Sequence, residues 1–183
     1  MSQARIRKLV GTALCIAIGI ALPIAFHSIP NAGRIFLPMH ISILLCGIVC
    51  GLPYGVACGA VTPLLSSLLT GMPPAAMLPS MLCELAVYGL VSSLLMRLPV
   101  KKLYARASIA LVGAMLAGRV VLGVLNALIF NAGSYSLSIW LTSSFVTALP
   151  GIIIQLALIP AITLGLSKAK LMELDNRRAR PYN

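Results

Sequence analysis

Apolar residues along this chain fall into six long runs, separated by short clusters of Pro, Gly, Asn and charged residues. A helix that crosses hydrocarbon needs about 20 apolar residues, and such clusters punctuate helices. The runs therefore predict membrane helices at 9–29, 36–52, 55–71, 75–96, 107–131 and 137–166, with a basic tail at 167–183. The expected fold class is an all-α integral membrane protein, a single transmembrane domain over 1–183. A basic stretch precedes the first run, as in a signal peptide. That run is long, however, and has no small-x-small cleavage site at its end, so it reads as the first membrane helix.

Composition agrees. The 183 residues are 60% hydrophobic and 9% charged, against about 25% charged in ordinary soluble domains. Mean hydropathy is +1.02. One soluble core of this size cannot hide so many apolar side chains, which excludes a soluble enzyme, a DNA-binding domain and a disordered tail. The net charge of +11 would suggest nucleic acid in a soluble protein, but its placement argues otherwise. With six crossings, Arg5, Arg7, Lys8, Arg97, Lys101, Lys102, Arg106, Lys168, Lys170, Arg177, Arg178 and Arg180 share one side. Basic residues of short loops stay in the cytoplasm, so both termini are expected there and no nucleic-acid partner is. The outer loops, 27–36, 71–75 and 132–136, carry His27, Asn31, Arg34, Met72, Ser134 and Tyr135, with Asn131 at the edge of the last. No extramembrane domain is expected.

Ionisable side chains at bilayer depth cost about 2.5–3.5 kcal/mol each on insertion scales and so tend to mark function. Glu84 and Arg119 fall near the middle of consecutive antiparallel helices and suggest a buried ion pair, either purely structural or facing a solvated cavity. Asn126 lies two turns from Arg119 on the same face, and Tyr88 one turn from Glu84. Arg34 and His40 flank the start of the second helix, whose first turn offers unpaired N–H groups. Arg34, His40, Arg119 and Asn126 together would form an outward-facing pocket, with Glu84 and Asn131 beside it. Trp140 suits an interfacial anchor or a stacking surface, and Gln155 a helix-to-helix hydrogen bond.

Small residues form two patterns. Ala13, Ala17, Ala21 and Ala25 recur every four residues along the first helix. Gly47, Gly51, Gly55 and Gly59 run from the second helix into the third. Such faces let helices approach closely in lipid. The glycines read as internal packing, and the alanines as either packing or docking onto another membrane protein. The cysteines (Cys15, Cys46, Cys50, Cys58 and Cys83) read as small hydrophobes, so no metal site is expected. The chain has no phosphate-binding G-x-x-x-x-G-K-[ST], no H-E-x-x-H, no G-x-S-x-G and no clustered acidic pair of the kind an intramembrane metalloprotease or an aspartyl protease needs. The polar inventory suits binding better than catalysis, and no cofactor is expected.

The block Arg34-Ile-Phe-Leu-Pro-Met-His40, with Leu44-Leu-Cys-Gly47, Tyr54-Gly55 and Pro63 through Pro73, resembles the substrate-binding S components of energy-coupling factor (ECF) vitamin transporters. The size, the six helices and the alanine face fit as well. The resemblance implies a non-enzymatic subunit of a bacterial plasma membrane that captures a vitamin or related micronutrient from outside. It implies delivery inward with a transmembrane T protein and two cytoplasmic ATPases, gating by segments 27–36 and 71–75, and T-protein contact through Ala13, Ala17 and Ala21. The competing expectation is a small intramembrane enzyme or assembly protein using Glu84 and Arg119 as a structural or catalytic pair. On substrate, the positive lean of the polar residues favours a carboxylate-bearing vitamin. Pantothenate and folate fit, and pyridoxine-like and queuosine-precursor ligands stay open.

Overall fold

A computed structural model of the protein describes residues 2–26, 28–169 and 171. His27, Lys170 and residues 172–183, with the tail's Arg177, Arg178 and Arg180, lie outside the described residues. Six helical segments are long and apolar enough to cross a membrane. They are α1 (Gln3–Ala25); a short α2 (Ala32–Phe36) running into α3 (Pro38–Cys50); α4 (Leu52–Thr70); α5 (Leu78–Leu95); α6 (Leu103–Leu125), prolonged by a π-helical turn (Asn126–Phe130); and α8 (Leu149–Lys168). A short α7 (Leu137–Leu141) and its own π turn (Thr142–Val146) precede α8.

Several boundaries differ from those expected, three of them with a plain local cause. α1 starts at Gln3 rather than 9, because Arg5, Arg7 and Lys8 continue the helix with long stems that can lie along apolar surface. The second run breaks at Leu37, which takes the left-handed conformation (φ 51°) before Pro38 opens α3. The sixth run, expected as one helix over 137–166, divides at Thr147–Ala148, and the spanning part is Leu149–Lys168. Pro150 sits in the first turn of α8, where its missing N–H leaves no hydrogen bond unmade, and so favours a new start there. Twenty residues at 1.5 Å rise give about 30 Å, enough to cross hydrocarbon without 137–146.

Successive spans pack antiparallel. Gly51 alone joins α3 to α4, with φ 91°, a conformation that glycine adopts without strain. Around this turn a Cβ on Gly55 would lie 2.8 Å from Gly47 Cα and 2.7 Å from the Gly89 carbonyl. Gly59 likewise rests on the Leu85 carbonyl of α5. Three helix backbones therefore meet where van der Waals contact must replace the hydrophobic effect. The Ser93 hydroxyl donates to the Gly47 carbonyl (2.9 Å), tying α5 to α3. Gly118 of α6 receives the Tyr88 ring of α5, and Gly19 of α1 receives Ser42 and Thr62. So α5 is surrounded by α3, α4 and α6, α1 lies against α3 and α4, and α8 against α6 and α3.

α1 buries Thr12, Cys15 and Gly19 against this core and leaves Ala13, Ala17 and Ala21 exposed on its other side. Cys15, Cys46, Cys50 and Cys58 are buried free thiols, with Cys46 Sγ 3.8 Å from the Thr12 hydroxyl. No group of His, Cys, Asp and Glu among the described residues is arranged to hold a metal.

Candidate functional site

The site lies towards the end of the bundle that carries loops 26–37, 71–77 and 131–136, opposite Arg97, Lys101 and Lys102. α3 places His40 in its first turn, α5 places Glu84 in its second, and α6 places Arg119 at the same level. The expectation of a mid-helix Glu84 shifts with the start of α5, which is Leu78 rather than 75. α5 begins six residues before Glu84, whereas the helical turns of α6 continue eleven residues past Arg119 to Phe130, so α6 rises above its neighbour at this end.

Arg119 Nη1 lies 3.3 Å from Glu84 Oε1, and the Tyr88 hydroxyl donates to the same oxygen at 3.0 Å. His40 Nε2 is 3.8 Å from Glu84 Oε2, beyond hydrogen-bond distance, and the His40 ring meets the Tyr88 ring edge-on at 5.4 Å. All four residues are buried, Glu84 to 3% and Arg119 to 5% exposure. Gln155 of α8 donates from Nε2 to the Leu37 carbonyl at 3.4 Å. Several polar atoms here have no partner in the protein: Nε and Nη2 of Arg119, both ring nitrogens of His40 and Oε1 of Gln155. A buried polar atom without a partner costs about 1–3 kcal/mol, more for a charged group. Three helices, α3, α6 and α8, thus bring unspent hydrogen-bonding capacity together, and a polar ligand would use it.

The loop after α1 folds down towards this cluster. α2 is bracketed by two left-handed residues, Asn31 (φ 59°) and Leu37 (φ 51°). Asn tolerates that conformation; a Leu there is strained and is held by its surroundings. Gly151 of α8 provides the holding surface, since a Cβ there would come within 2.7 Å of the Ile35 and Phe36 carbonyl oxygens. Arg34 is not in the cluster. Its Nη2 lies 3.5 Å from Met77 Sδ, linking the first loop to the second.

Asn126 and Asn131, expected to face a ligand, are bonded to each other, Asn131 Nδ2 donating to Asn126 Oδ1 at 2.6 Å. Asn126 Nδ2 donates to the Leu122 carbonyl at 2.9 Å, so the pair fastens the π turn that ends α6. Trp140 reaches Arg119 through the backbone: its Nε1 donates to the Arg119 carbonyl at 2.9 Å while the indole lies over Gly123. An open groove of about 290 Å³ runs beside it, lined by Val120, Gly123, Val124, Ala127 and Tyr135. Sequence reasoning gave Gln155 a helix-to-helix hydrogen bond. Its amide nitrogen makes one, to Leu37, while its oxygen is left over for the site; a glutamine at bilayer depth was the available signal.

A family model described as "ECF transporter, substrate-specific component" matches residues 7–163. The chain belongs to this family. The matched region runs from the start of α1 into the last turns of α8 and includes every residue of the cluster. As an S component the protein is a multi-pass plasma-membrane protein, the substrate-specific part of a transporter. No curated protein and no solved structure matches the chain.

Proposed function

We propose that this S component captures a vitamin or related micronutrient at the cluster of His40, Glu84, Arg119 and Gln155 and delivers it inward with a T protein and two ATPases. The observation that carries the reading is the set of buried, unpartnered polar atoms in a chain that otherwise minimises polarity. Binding small polar molecules is the use to which a substrate-specific subunit puts such a cluster. In this reading the basic end faces the cytoplasm, and α2 is the roof through which ligand enters. Arg34 and Asn131 lie along the approach, and Asn126 and Trp140 brace the wall formed by α6. The exposed alanines of α1 are the T-protein surface. The chain alone would bind without turnover.

The test is mass spectrometry of small molecules released by denaturing the purified, lipid-reconstituted protein. A vitamin or precursor at about one per chain is expected. A lipid-only extract would overturn the reading.

A further inference from the structure

Arg119 shows which chemistry the site is built to read. Its guanidinium meets Glu84 through Nη1 only, while Nε and Nη2 have no partner and are buried. Those two nitrogens form one edge of the planar group. Their N–H bonds run parallel, at the spacing of the two oxygens of a carboxylate. Glu84 occupies the far corner, and the Tyr88 hydroxyl holds the same Glu84 oxygen, so Glu84 and Tyr88 anchor the end of the guanidinium opposite the free edge. On α8, Gln155 Oε1 is buried and unpaired, while its Nε2 is spent on Leu37. An amide oxygen only accepts, so its missing partner is an N–H or O–H donor.

We infer that the ligand carries a carboxylate gripped by the Nε/Nη2 edge of Arg119, and on the same molecule a hydrogen-bond donor for Gln155 Oε1. The inference rests on the capture reading above and adds the class of substrate. Glu84 already offsets the charge of Arg119, so a singly charged carboxylate costs less to bury here than a doubly charged phosphate. Glu84 and Tyr88 act as positioning residues that aim the guanidinium.

The test uses the lipid-reconstituted full chain. Small molecules released on denaturation are treated with a carbodiimide and an isotopically labelled amine, which adds a fixed mass to carboxylic acids. A stoichiometric compound that takes the tag is expected. Arg119→Lys keeps the charge and loses the fork, so its occupancy should fall roughly tenfold or more, the effect of one charge-assisted hydrogen bond. A stoichiometric compound without a carboxylate, a phosphate included, overturns the inference and leaves the capture reading standing. A tagged compound held equally well by Arg119→Lys also overturns it. If that variant fails to insert, the tag on the wild-type compound decides alone. An extract with no stoichiometric small molecule removes the capture reading and the inference together.

Discussion

Glu84 and Arg119 hold each other in place more than they hold the fold. Removing one partner of a buried ion pair leaves a naked charge and costs about 3–5 kcal/mol, whereas replacing both with apolar residues is often nearly neutral. Arg119→Ala alone should therefore lower thermal stability in lipid or detergent strongly. The double variant Glu84→Met with Arg119→Met should recover most of that loss and still retain no small molecule. A double variant as unstable as the single one would show that the pair contributes packing rather than compensated charge. At this scale the two ionisable residues were legible in the sequence, because charge at bilayer depth is expensive and rare. Two features were not: the unpartnered edge of Arg119, which depends on how α3, α5, α6 and α8 meet, and the pairing of Asn126 with Asn131, which depends on a π turn whose residues, Asn-Ala-Leu-Ile-Phe, read as ordinary helix.

Among the elements, α1 is the least buried of the six spans, whereas α4 and α5 meet backbone to backbone. α1 turns its alanines away from the bundle, so added bulk there meets nothing within the chain. Ala17→Leu should leave small-molecule retention intact and abolish uptake by cells that supply the T protein and ATPases. Normal uptake in that variant would remove α1 as the docking face. Gly59, by contrast, rests on the Leu85 carbonyl. Overpacking costs typically about 1–3 kcal/mol, so Gly59→Ala should lower the thermal midpoint. An unchanged midpoint would mean that α4 and α5 part easily. All six spans were legible as apolar runs. The split of the last one was not, because Thr142, Ser143 and Ser144 continue a helical pattern while the chain changes pitch. Nor was the kink at Leu37, since nothing in Leu-Pro announces a left-handed leucine.

Across the whole molecule, the basic residues at one end and the proposed ligand cluster towards the other make orientation the property on which the proposed function turns. If Arg97, Lys101 and Lys102 face the cytoplasm, a membrane-impermeant maleimide added to intact cells will label Ser134→Cys and spare Lys101→Cys. The reverse pattern would put the capture site on the wrong side for import. Four of the five native cysteines are buried within the bundle, so background labelling should be low.

The indole of Trp140 has a practical consequence. The chain contains one tryptophan, and its N–H is bonded to the carbonyl of Arg119, the residue whose side chain we propose grips the substrate. The protein thus carries a single tryptophan wired to the proposed receptor site. Emission from unlabelled protein is a direct optical report of that residue's backbone, free of the overlapping signals that several tryptophans would give. A compound library can be screened by fluorescence titration alone, with Trp140→Phe as the blank.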